Sequence, residues 1–200
     1  MPKTTLPPRS ALHQEDTWNI ASLFPNTAAW ETEYQQVQAQ LPTVGQYRGT
    51  LGDGPALLAE ALDVLFQLIA RADKLYMYAG LSSSVDANDE EAAALVSKAA
   101  TLYGQVQAAV AFVKPELLAH GAETLLQWAS SDSRLAVYTH YLENLLRLQT
   151  HVRSAEVEEL LGLVSDPFAS SDGVVSALTS AEMHFQPAKA STGEEFPVAQ

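Results

Sequence analysis

The sequence predicts a mainly α fold, an antiparallel helical hairpin or bundle with a short β-hairpin at its C-terminal end. Three observations lead there. Alanine and leucine dominate a chain that is 47% hydrophobic and 18% charged, and both residues lose little side-chain freedom in a helix. Two long stretches repeat apolar residues at alternating steps of four and three, the period of one helix face. Near the end, short apolar segments flank Ser191-Thr192-Gly193-Glu194, a turn composition.

Residues 1 to about 16 are polar and proline-rich and read as a lead-in. Trp18, Ile20, Leu23 and Phe24 then supply anchors, closed by Pro25. Asn26 or Thr27 can cap a first helix with Trp30, Tyr34, Val37 and Leu41 on one face. Pro42 and the glycines 45, 49, 52 and 54 punctuate the following loop. Asp53-Gly54-Pro55 opens the second helix, with proline tolerated in a first turn whose N–H groups lack helical partners. Leu58, Leu62, Leu65, Ile69, Ala72, Tyr76 and Ala79 give it one apolar face, running to serines 82–84.

Asp86 to Glu91 is an acidic turn that suits the positive end of the next helix. There Leu95, Ala99, Leu102, Val106, Ala109 and Val113 carry the same rhythm, and Pro115 stops or kinks it. Two helices of this length joined by a short turn form an antiparallel hairpin. Shorter helices are expected near 122–130, 134–148 and 154–164, the last capped by Ser154, and one more from Asp172 to Leu178. Met183-His184-Phe185 and Phe196-Pro197-Val198 are the candidate strands.

Composition excludes several functions. With a net charge of −13 and only 11 lysines and arginines, the chain has no basic patch to displace counterions from nucleic acid. Polybasic docking to an anionic membrane fails for the same reason. The densest apolar run, 108–113, is far short of the roughly 20 residues that span a bilayer, and residues 1–9 lack the apolar centre of a signal peptide. Without cysteine, disulfide and thiolate chemistry are excluded. A cytoplasmic, soluble protein is the expectation.

No catalytic constellation is visible. Helical zinc peptidases need two histidines four residues apart, with a glutamate beside the first. His13, His120, His140, His151 and His184 include no such pair. His140 and Glu143 could share a metal across one helical turn, but two ligands make no site, and a solvated helix face explains them. Asp86, Asn88, Glu90 and Glu91 resemble part of a calcium loop without its glycine and terminal glutamate, so helix capping accounts for them. Serines 82–84, 130 and 131 sit in turns without a nucleophile-elbow pattern. Tyr76, Met77 and Tyr78, with Tyr103, Tyr138 and Tyr141, either line a peptide-binding surface or pack between helices. Catalytic and metal residues are therefore none, and substrate-binding residues unknown.

Several segments in order resemble the N-terminal region of the oligoendopeptidase F branch of the thimet-type (M3) metallopeptidases. They are Thr17-Trp18-Asn19-Ile20-Ala21-Ser22-Leu23-Phe24-Pro25 with Trp30, the helix through Arg71-Ala72-Asp73-Lys74-Leu75-Tyr76, and Asp86-Ala87-Asn88-Asp89 with Leu102-Tyr103. His140-Tyr141-Leu142-Glu143, Arg147-Leu148, His151, the helix of Ser154, Glu156, Glu158, Leu160 and Leu161, and Gly193-Glu194-Glu195 complete the set. The resemblance implies a helical lobe forming a wall or lid of a channel that admits short peptides to zinc on the opposite lobe. Zinc is expected in the full-length enzyme and none in this chain, because no residue here matches His-Glu-x-x-His or its downstream glutamate. The implied partners are short peptides and a missing C-terminal catalytic lobe.

The expected organisation is a flexible lead-in at 1–17, a helical lobe at 18–165, and at 166–200 the start of an α/β segment that reads as cut in mid-fold. A non-enzymatic helical module that binds a protein or peptide is the alternative, and homo-oligomerisation through the apolar faces of 58–79 and 95–113 is a third reading. Continuation of the reading frame into His-Glu-x-x-His would separate the first two.

Overall fold

The computed structural model describes residues 11–85, 89–179, 183 and 186–196. Its centre is an antiparallel hairpin of two long helices, α2 (Pro55–Ser83) and α3 (Glu90–Val110), with α1 (Thr27–Val44) laid across both. Shorter helices follow: α4 (Val113–Ala119), α5 (Ala122–Ser131), α6 (Thr139–Arg147), α7 (Ala155–Leu163) and α8 (Ser165–Ala177). Strands β1 (Ala188–Lys189) and β2 (Glu195–Phe196) pair antiparallel. The mainly α architecture with a terminal β-hairpin is the one the periodicity predicts.

Capping chemistry sets the helix starts. The Asn26 side chain accepts from the Ala29 N–H at 2.9 Å, and Asp89 accepts from the Ala92 N–H at 3.0 Å. Each satisfies an amide that lacks a helical partner. Asp86, Ala87 and Asn88, the rest of the expected acidic turn, lie outside the described residues. Ser154 occupies the cap position of α7 without a side-chain cap bond. Instead Glu158 reaches back to accept from the Arg153 N–H at 2.9 Å.

The core runs from Phe24 to Leu145 and is built on Trp30, Leu58, Leu62, Leu65, Leu102 and Leu142. The predicted face of α2 holds at Leu58, Leu62, Leu65, Ala72 and Ala79. Tyr76 departs from it and stands exposed, because Leu68, Leu75 and Tyr78 take the inward positions. Trp18 is not the anchor its size suggests: it is 72% exposed, while Phe24 is buried against Tyr78. Polar ties join α1 to the hairpin. The Arg71 guanidinium donates to Glu33, Gln40 and Gln36, and the Lys98 ammonium pairs with Glu31 at 2.6 Å. That ammonium, with help from Gln35, holds the Glu31 carboxyl below its usual range.

Several boundaries differ from expectation, including the helix expected at 134–148, whose α-helical part starts only at Thr139 after a 3-10 turn at Ala136–Tyr138. Helix α1 runs through Pro42 to Val44, so Pro42 costs a hydrogen bond in the final turn without ending the helix. Pro115 breaks the helix ahead of itself: α3 ends at Ala111–Phe112, and Pro115 sits in the first turn of α4. A continuous helix would drive the proline ring into the carbonyl four residues back, at Ala111. The last predicted helix begins at Ser165, not at Asp172.

The hairpin is also displaced. Ala190 donates to the Glu194 carbonyl at 2.8 Å and Gly193 to the Ala190 carbonyl at 2.9 Å. A turn closed this tightly puts the pairing residues beside it, so Ala188 faces Phe196 and Lys189 faces Glu195. Met183 is not in a strand, and His184, Phe185, Pro197 and Val198 lie outside the described residues.

Candidate functional site

Helix α7 lies against α3 at a very close approach. A Cβ added to Gly162 would stand 2.9 Å from the Ala108 nitrogen and 3.0 Å from its Cα, so only glycine lets the two backbones meet here. Beside this contact opens a cleft of about 370 Å³ lined by Tyr103, Gln107, Lys114, Glu158 and Leu161. A smaller apolar cavity of about 110 Å³, lined by Leu65, Phe66, Ile69 and Tyr141, shares Gln107, Val110 and Lys114 with it. The pair combines an apolar floor with a phenol, an amide, an ammonium and a carboxylate. Such a surface can hold extended peptide by stacking, by hydrogen bonds to its backbone and by pairing with its charged ends.

The tyrosines singled out from the sequence divide into separate groups. Tyr103 meets Tyr76 at a ring separation of 5.9 Å on the α2–α3 surface, while Tyr78 is core. Burial first, then the neighbouring Asp73 carboxylate, pushes the Tyr103 hydroxyl up. Met77 is exposed. Tyr138 and Tyr141 pack on Phe66, at 5.4 Å stacked and 4.9 Å edge-on. Tyr138 donates its hydroxyl hydrogen bond to the Asp63 carboxylate.

Both of these phenols are pushed up to about 12, Tyr138 by burial and then by Asp63, Tyr141 by burial. An unfolded tyrosine ionises near 10, so the folded state holds these protons longer than the unfolded one. The stability they contribute is complete below about pH 10 and drains away as pH rises toward 12. The expected loss is on the order of 2 kcal/mol for Tyr141 and smaller for the shallower Tyr138. Thermal melts across that window should fall steeply for the natural chain and less steeply for Tyr141→Phe. A parallel fall in both would remove Tyr141 as the cause.

No metal-binding geometry forms among the described residues, where no three of His, Asp and Glu gather as ligands. His140 and Glu143 are both exposed on α6. The His120 ring packs over Gly52 and 6.4 Å from the Trp128 ring. His13 and His151 are exposed, and His184 lies outside the described residues. Glu90 and Glu91 are exposed in the first turn of α3. The hydroxyls of Ser82, Ser84, Ser130 and Ser131 all donate back to helix carbonyls. The described residues do not fit the zinc site that the family resemblance implies for the full-length enzyme, and no catalytic step is assigned to them. No described helix is long and apolar enough to cross a membrane.

Sequence reasoning missed the α3–α7 cleft. Gln107, Lys114 and Glu158 carry no local signal, because the cleft exists only where helices some fifty residues apart in sequence touch.

The N-terminal family model of the M3 peptidases, described as Oligopeptidase F, matches residues 116–185. Oligopeptidase PepF of Bacillus subtilis is 34% identical over 190 residues, covering 95% of this chain. The chain belongs to the oligoendopeptidase F family, as an N-terminal region. The group B oligopeptidase PepB of Streptococcus agalactiae is 27% identical over 94% of the chain. The crystal structure of oligoendopeptidase-F from Enterococcus faecium shares the fold, with a TM-score of 0.79 over 88% of this chain at 24% identity. The chain spans 28% of the length of the Bacillus relative, 31% of the Streptococcus relative and 35% of the Enterococcus one.

Proposed function

We propose that this chain is the helical N-terminal part of a cytoplasmic zinc-dependent oligoendopeptidase that cuts internal bonds of short peptides, and that it supplies a wall or lid of the substrate channel. The observation that carries the reading is 34% identity along 95% of the chain to a named oligopeptidase more than three times its length. The α3–α7 cleft supports a channel-facing role, since its stacking surface and mixed polar groups suit an extended peptide. In this reading residues 18–165 form the helical lobe and 166–200 lead into the next segment, with 1–17 a flexible lead-in. The metal and its general base belong to the length that the relatives possess beyond this region. Zinc there would activate water against the scissile carbonyl, while a narrow channel keeps folded proteins out.

The test compares the 200-residue chain with its continuing reading frame on an internally quenched short peptide. The longer protein should hydrolyse it, lose activity to a chelator and recover with zinc, while leaving a folded protein uncut. The 200-residue chain should show no turnover above buffer. Zinc-dependent hydrolysis by the short chain alone would overturn the assignment.

A further inference from the structure

Helix α7 is amphipathic the wrong way round for an outer helix. Its inward side is made of Ala155, Glu158, Glu159 and Gly162, all half-buried. Leu160, 58% exposed, and Leu163, 55% exposed, face away from the body, while Leu161 sits at the rim of the α3–α7 cleft. Val157, Leu160 and Val164 fall at the spacing of a single helix face. Helix α8 continues the pattern, with every described side chain exposed, including Phe168 at 74%, Val174 at 59% and Val175 at 56%. A soluble surface does not ordinarily gather so many large apolar groups unless something covers them.

We propose that the outer face of α7 and α8 is the docking surface for the remaining length of the peptidase, the polypeptide that follows this region in its relatives. The inference rests on the proposed membership in a longer peptidase and names the surface that joins its two parts. Two observations choose this occupant over a second copy. The relatives run to about three times the length of this chain, which supplies the mass needed to cover two helices. A second copy would instead bring another net charge of −13 against a face bordered by the exposed Glu156 and Asp172, and like charge opposes that approach. The covering surface should therefore be apolar at its centre and basic at its rim.

The experiment measures hydrogen exchange at residues 157–178 in the 200-residue chain and in the chain extended through its own reading frame. Exchange in this stretch should slow at least tenfold in the extended protein; equal exchange overturns the proposal. Leu160→Asp with Phe168→Asp should leave the melting temperature of the short chain unchanged and lower that of the extended protein by about 5 °C or more. Should the double aspartate variant not fold in the extended protein, Phe168→Ala gives a smaller drop in the same direction. A loss in both lengths, or in neither, counts against the face as an interface. Light scattering that shows a dimer of the short chain, abolished by Phe168→Asp, reassigns the surface to self-association. Peptide hydrolysis by the extended protein reports separately on the functional reading, which survives if only the docking face fails.

Discussion

Replacing Trp30 by alanine should remove about 3–5 kcal/mol of stability and lower the melting temperature by roughly 10 °C. Trp30 is completely buried in the first turn of α1 and stacks on Tyr34 with ring centroids 5.4 Å apart. Its indole Nε1–H donates to the Leu75 carbonyl at 2.9 Å, tying α1 to the C-terminal third of α2. Lys98 of α3 reaches over the same pair, 4.5 Å from the Tyr34 ring and 5.8 Å from that of Trp30. One side chain therefore touches all three helices of the central layer. Alanine leaves a cavity that the packed hairpin cannot fully close, and a domain's whole stability is only about 5–15 kcal/mol. Trp30→Phe keeps most of the apolar volume and loses the hydrogen bond, so it should cost about 1–2 kcal/mol. Denaturation followed by far-ultraviolet circular dichroism avoids confusing loss of a fluorophore with loss of structure. A loss below about 1 kcal/mol for the alanine variant would mean that the neighbours repack into the space.

Trp30 was legible because a cap at Asn26 and a helical repeat placed it on the inner face. The same logic located α2, α3 and the acidic turn that opens α3, since both caps and periodicity act within a few residues. It failed where a distant partner decides. Tyr76 fits the apolar rhythm of α2 but faces outward beside Tyr103, and Trp18 stays largely exposed despite its size. Helix α7 has helical spacing, yet periodicity cannot say which side of a helix meets the body; the Gly162–Ala108 approach settles that. The α3–α7 cleft was invisible for the same reason.

Glu116 is a second residue that local pattern gave no cause to notice, and Glu116→Ala should cost about 2–3 kcal/mol. Its carboxylate accepts from the Gly49 N–H and the Leu51 N–H, both at 2.8 Å, across 67 and 65 residues of sequence. These bonds hold the loop between α1 and α2 onto α4. Leu51 beneath them is completely buried, and Arg48 lies 5.1 Å over the Phe112 ring. Gly52 lets the loop come in under His120, because a Cβ there would fall 1.7 Å from the imidazole Cε1. Alanine at 116 leaves the partly buried Leu51 amide without its acceptor, which costs more than a neutral bond exchanged with water. Glu116→Gln keeps one acceptor oxygen and aims an amide donor at the other N–H, so it should fall between the natural chain and alanine. Exchange at the Gly49 and Leu51 amides should accelerate in both variants, while the α2 and α3 amides keep their order of protection. If the alanine variant loses less than about 1 kcal/mol and those two amides stay slow, water is replacing the carboxylate and Leu51 burial alone holds the loop.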